Sequence, residues 1–201
     1  GVSQRQAAPA TVDVLAAMLG ACDDSLKGCR DRALLAIGFG GAFRRSELVG
    51  INVEHIEITP LGLKIFLPSG KTDQDGAGES VAILDGNCLS VKSALAAWLA
   101  ISGITSGPVF RRLLKGGTVL PDALTDRSVA NIIKERAEQI GLDPTQFSGH
   151  SLRSGFLTSA AESGSTLSKM MDVSRHRKVD TVMGYIRSAD AFKDHAGSKF
   201  M

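Results

Sequence analysis

EHIEITPLGLKIFLPSGKTDQDGAGESVAIL, residues 54–84, is where the chain stops reading as helix. Three short runs, EHIEIT, GLKIFLP and ESVAIL, are β-branched or apolar. They are separated by Pro60-Leu61-Gly62 and by the turn-rich SGKTDQDGAG. Short runs bounded by Gly, Pro and Asp predict strands with tight connections, hence a small antiparallel sheet of three strands. Two motif readings inside the stretch fail. A phosphate-binding loop needs a Gly five residues before Gly70, and Ile65 stands there. A calcium loop would begin at Asp73 and Asp75, but its later ligand positions fall on Ala77 and Leu84.

Helical patterns lie on both sides of the sheet. TVDVLAAMLGAC starts at Thr11, an N-cap residue type, and CRDRALLAIGFGGAF continues as an apolar helix expected to loosen at Gly38, Gly40 and Gly41. RRSELVGI reads as a short helix or turn. Helical spacing returns at 90–102, 126–141, 149–162, 166–173 and 180–188. The fold class is therefore mainly α with a small three-stranded antiparallel β-sheet. Residues 1–10 read as the end of a linker and 11–201 as one domain.

Composition narrows the function. The chain has 201 residues, 43 % hydrophobic and 22 % charged, which suits one domain with a real core. No apolar run reaches the length of a membrane span, and GVSQRQAAPA has no signal-peptide pattern, so no membrane partner is expected. The chain lacks an initiator Met, which suggests a fragment of a longer protein. Cys22, Cys29 and Cys88 are an odd number without metal-type spacing and read as reduced thiols in a cytosolic protein. His55, His150, His176 and His195 show no zinc spacing, so neither metal nor cofactor is expected. Charge is uneven: residues 1–100 carry 9 Lys+Arg against 11 Asp+Glu, and residues 101–201 carry 14 against 10. The densest cluster is Arg175, His176, Arg177 and Lys178, a phosphate-type footprint.

Three constellations carry chemistry. GHSLRSG sets His150 and Arg153 three residues apart, one helical face able to grip a phosphate. GAFRRSELVG puts Arg44 and Arg45 at a Gly-rich junction, with Glu47 placed to orient a neighbouring Arg. Adjacent arginines point to different sides of a helix, so at most one serves a buried site. The chain's single tyrosine, Tyr185, follows the basic run SRHRK. A lone tyrosine is either a packing residue with a polar tip or a nucleophile.

Together these pieces resemble the catalytic domain of the tyrosine recombinase (phage integrase) family, over nearly the whole chain. The resemblance implies that Arg44 in GAFRRSEL is the first catalytic arginine, with Arg45 in a variable slot. It makes Lys71 of GKT the hairpin lysine, His150 and Arg153 the His-x-x-Arg pair, His176 the third-box histidine and Tyr185 the nucleophile. Arg45, Arg175, Arg177 and Lys178 are expected on DNA phosphates. One departure stands out: many members have Leu-Gly-His where this chain has Ser174-Arg175-His176.

The chemistry implied is attack by the Tyr185 phenol on a phosphodiester to give a 3′-phosphotyrosyl intermediate, rejoined by a new 5′-hydroxyl without metal or ATP. Two arginines and a histidine stabilise the charge that grows on the phosphate oxygens, each donor being worth about 3 kcal/mol. The resemblance further implies double-stranded DNA as partner and a tetramer on paired sites. The chain is expected to be a monomer without DNA, in the bacterial cytoplasm or nucleoid, and to lack the core-binding domain that relatives carry. The segment 189–201 is expected to fold back through Phe192 and Phe200. The alternatives are a type IB topoisomerase-like enzyme and a catalytically silent DNA-binding relative.

Overall fold

The computed structural model describes residues 7–68, 78–87 and 89–191. Lys71, Cys88, Phe192 and Phe200 lie outside the described residues.

The helices follow the apolar spacing closely. They are α1 (Val12–Gly20), α2 (Leu26–Gly40), α3 (Arg45–Val49), α4 (Val91–Ser102), α5 (Asp126–Gln139), α6 (Ser151–Glu162), α7 (Leu167–Ser174) and α8 (Val179–Ala189). Strands β1 (Ile56–Thr59), β2 (Gly62–Leu67) and β3 (Glu79–Leu84) form an antiparallel sheet in the order β1-β2-β3. Its register pairs Ile56 with Ile65 and Ile65 with Val81. The inward positions Leu63, Ile65, Val81 and Ile83 are buried, while Lys64, Ala82 and Leu84 face outward. That alternation is what a sheet covering a helical core on one face requires.

The core centres on α2. Ala33, Leu34, Leu35, Ala36 and Ile37 are all buried, because α2 has α4 on one side and α6 on another. The helix runs unbroken to Gly40, against the expectation that it loosens at Gly38. Those glycines serve close packing instead. A Cβ on Gly38 would meet Leu152 Cδ1 at 2.8 Å, and one on Gly40 would meet Ile83 Cγ2 at 2.5 Å. Trp98 on α4 is fully buried, and its Nε1 donates to the Val109 carbonyl at 2.8 Å. Asp31, also fully buried, accepts from Arg30 Nη2 at 2.8 Å and from Arg136 Nη2 at 2.6 Å. This buried Arg–Asp–Arg group ties α2 to α5, and each charge in it has a partner, as burial demands.

Three local features go beyond the sequence reading. Thr11 is the N-cap of α1 but its side chain caps nothing; Ser159 Oγ on α6 accepts from Val12 N at 2.9 Å instead. A second antiparallel ribbon, β4 (Arg111–Leu113) and β5 (Val119–Ala123), was not expected. It is short, holds Pro121 and Asp122, and so carries little strand propensity. The last residues of the segment read as linker are docked on the domain: Ala8 N donates to Gln146 O at 2.7 Å and Ala10 N to Ser151 O at 2.9 Å. Ala10 is fully buried against Gly155, where a Cβ would sit 1.8 Å from the Ala10 carbonyl.

Candidate active site

The α2–α3 corner, the start of α6 and the end of α7 meet at one place. The chain leaves α2 through Gly41, Ala42 and Phe43, with Ala42 at φ 44°. That turn delivers Arg44 to the N-cap of α3. Glu47, one turn on, accepts from Arg44 N at 2.7 Å and from Arg44 Nη1 at 2.5 Å. An acidic side chain over the first turn satisfies an orphan N–H and suits the helix dipole. Arg44 itself stays half exposed.

Arg153 enters from α6 and is 1 % exposed. Its Nη1 donates to the Ala42 carbonyl at 2.7 Å, and its Nη2 lies 3.3 and 3.4 Å from the two ring nitrogens of His176. Ser174 Oγ donates to Met170 O at 2.6 Å, so its oxygen is left to accept from His176 Nδ1 at 2.8 Å. That assignment leaves Nε2 with its lone pair towards Arg153. Ser174 thus sets the tautomer of His176, a role that no motif position signals.

Electrostatics follow from this crowding of cations. Burial first, then the charges of Arg153 and Arg44, push the His176 imidazole down to about 4, so it is neutral at pH 7. His150, the N-cap of α6, is lowered by desolvation in the cleft and by Arg153, Arg44 and Arg45. Burial and the nearby Arg44 and Arg175 lower Arg153 to about 10. Burial raises the Tyr185 phenol above its ordinary value, and the Arg153 charge works against that rise. Tyr185 sits on α8, packed with Ile186 against the small cluster of Leu157, Ala161, Met170 and Val182. Tyr185 therefore packs as a core residue while the Arg153 charge acts on its phenol.

Arg44, Arg45, Asp126, Ser148 and His150 line a cleft of about 350 Å³. Both adjacent arginines line it, because the stem of Arg45 lies over Gly149, where a Cβ would meet Arg45 Cδ at 1.8 Å. Arg153, His176 and Tyr185 do not line this cleft. Lys178 is exposed at the N-cap of α8, and Arg177 is exposed beside it. Among the described residues no group of three or more His, Cys, Asp or Glu could hold a metal ion, and no helix is long and apolar enough to cross a membrane. Cys22 and Cys29 are buried free thiols, with Cys22 pushed up to about 11 by burial.

Arg175 departs from its expected place on a DNA phosphate. Its side chain is 4 % exposed and turns inward. Nη1 donates to Gly41 O at 3.0 Å and to Val173 O, and Nη2 donates to Glu47 Oε2 at 2.7 Å. The guanidinium stands 5.1 Å from the Phe43 ring centroid. Its backbone is left-handed, φ 56° and ψ 38°, as the C-cap of α7. That conformation costs a non-glycine residue about 1–2 kcal/mol. Burial raises the Glu47 carboxyl, but the Arg175 charge and hydrogen bonds from Arg44 and Arg175 outweigh it and hold Glu47 below the usual carboxylate range.

The profile of the phage integrase family matches residues 10–191. An integrase/recombinase XerD homolog of Selenomonas ruminantium is 40 % identical over 200 residues, covering 98 % of this chain and 58 % of that protein. Recombinase Cre of Escherichia phage P1 is 28 % identical over 182 residues, covering 84 % of this chain and 52 % of Cre. The chain spans little more than half the length of either relative. Among solved structures, the XerH site-specific recombinase bound to its difH substrate superposes with a TM-score of 0.71 at 18 % identity. That match covers 94 % of this chain and 53 % of XerH, and it shows a shared fold.

Proposed function

This chain belongs to the phage integrase family, and on that premise we propose that it is the catalytic domain of a site-specific tyrosine recombinase that cleaves and rejoins double-stranded DNA. The observation that carries the reading is the meeting of Arg44, Glu47, Arg153 and His176 at one corner, with the Arg153 charge reaching Tyr185. In this reading Tyr185 Oη attacks phosphorus and the bond to the 5′-oxygen breaks, leaving a 3′-phosphotyrosyl link. The phenol proton passes to a neutral imidazole of the set, and the leaving oxygen takes a proton from Lys71. Arg44 and Arg153 stabilise the charge on the non-bridging oxygens as the pentavalent state forms. Reversal with a different 5′-hydroxyl rejoins the strand, so no ATP is consumed.

Arg45, Arg177 and Lys178 supply further phosphate contacts in this reading. Their contribution is salt-dependent affinity, not rate. Residues from about 8 onward form the catalytic domain in this reading. The chain acts in the bacterial cytoplasm, as a monomer that assembles into a tetramer on paired sites.

The test is covalent trapping on nicked duplexes taken from the DNA that flanks the gene. The unmodified chain forms a protein–DNA adduct that survives denaturant, and Tyr185→Phe forms none while binding the same duplex. An adduct on the Phe variant would remove Tyr185 as nucleophile.

A further inference from the structure

We infer that Arg175 is a positioning residue that holds Glu47, and through it Arg44, in place, and that it is not a DNA contact. The inference rests on the proposed function for its readout. Its support is geometric.

Glycine would adopt the left-handed backbone at position 175 without strain. Arginine there is strained, so its side chain has to return something. The guanidinium fills the inside of the α2–α3 corner. It donates to Gly41 O and Glu47 Oε2, approaches Ala42 O at 3.4 Å, and stacks against Phe43, the residue before Arg44. Glu47 uses one oxygen for Arg44 Nη1 and the other for Arg44 N and Arg175 Nη2. Arg44 Nη2 in turn donates to the Arg175 carbonyl at 3.4 Å. Arg44 and Arg175 therefore share one carboxylate and also touch directly. The Arg175 backbone is continuous with His176, so the same residue links the Arg44 corner to the Arg153–His176 contact.

The fourth direction is also informative. Among the described residues Arg175 Nε is buried without a hydrogen-bond partner, and Glu79 Oε2 at the start of β3 lies 4.0 Å away. With its side chain only 4 % exposed and its fork turned to Gly41 O and Glu47, the guanidinium offers little surface to a DNA phosphate. Guanidinium suits the place because its planar fork serves several acceptors at once, which an ammonium cannot.

Arg175→Gly relieves the backbone and removes the tether. The experiment measures adduct formation, DNA affinity and the salt dependence of affinity on one nicked duplex from the flanking DNA. Arg175→Gly is expected to slow adduct formation about 10²-fold, the effect of misplacing a reacting group by about 1 Å. Affinity and its salt slope stay at the unmodified values. A phosphate contact predicts the opposite: weaker binding and a salt slope smaller by about one. Arg175→Lys restores part of the rate. Glu47→Gln matches Arg175→Gly, and the double variant is no slower than either, since the two act as a unit. Unchanged rate in Arg175→Gly, a reduced salt slope, or additive losses would each overturn the inference. If Arg175→Gly unfolds at the assay temperature, Glu47→Gln carries the test with the same expected rate and slope. An unmodified chain that forms no adduct removes the proposed function itself, and this inference with it, which separates that failure from the others.

Discussion

Replacing Arg153 with methionine should make the protein more stable and inactive at once. Arg153 is 1 % exposed and shares its corner with Arg44 and Arg175. Burial and those two charges lower it to about 10, so its charged form is disfavoured in the fold. A fall of that size corresponds to about 3 kcal/mol of lost stability at 1.36 kcal/mol per pKa unit. The sign follows from a base whose folded value lies below its unfolded one. The penalty is fully present below the folded value and is relieved only as pH rises beyond about 10, so it is constant through neutral pH. Methionine has similar length and no charge, and a volume-conserving change costs little in packing. Against the gain stands the hydrogen bond to the Ala42 carbonyl, about 1–1.5 kcal/mol. That carbonyl keeps a contact to Arg175 Nη2 at 3.4 Å, which limits the loss. The net gain is about 1–2 kcal/mol, or about 2–8 °C in melting temperature for a domain of this size. Calorimetry beside the nicked-duplex assay measures both effects. A melting temperature several degrees below that of the unmodified chain would refute the reasoning, because it would mean that the corner is held together by Arg153 and not strained by it.

Stability should fall as pH drops from 6.5 towards about 4: the unfolded chain takes up protons at His176 and His150 before the folded one does. Urea titrations across that range check this, and His176→Gln should flatten the profile. Arg44→Lys should slow adduct formation by about 10²–10³-fold, the worth of one transition-state donor, whereas Arg45→Lys should mainly weaken binding; the reverse order in rate assays would shift the alignment of this box by one residue. Gly155→Ala places a Cβ 1.8 Å from the Ala10 carbonyl and should cost about 1–3 kcal/mol in denaturant unfolding by overpacking α6 against residues 8–10. A Gly155→Ala variant as stable as the unmodified chain would mean that the N-terminal segment is not docked there.

The sequence by itself determined the family and the order of the main helices and of the three-stranded sheet, though not the β4–β5 ribbon. Apolar spacing located each main helix to within about three residues, since a helix shows its buried face in the local pattern. The three strands of the sheet were legible for the same reason, their alternation being local. Arg44, His150, Arg153, His176 and Tyr185 could be picked out because their boxes hold fixed spacings over a few residues. Tertiary structure alone decided which way Arg175 faces. Its neighbours Gly41, Phe43 and Glu47 lie 128 to 134 residues away in the chain. A run such as SRHRK looks like one basic patch, yet a single left-handed residue turns one of its cations into the core. Asp31 was equally invisible, because its second partner, Arg136, is 105 residues distant. Protonation was also settled only in three dimensions. Neutral His176 results from burial and from Arg153 and Arg44, brought together by α6 and the α2–α3 corner, and charge acts through space while sequence patterns report only what is near along the chain.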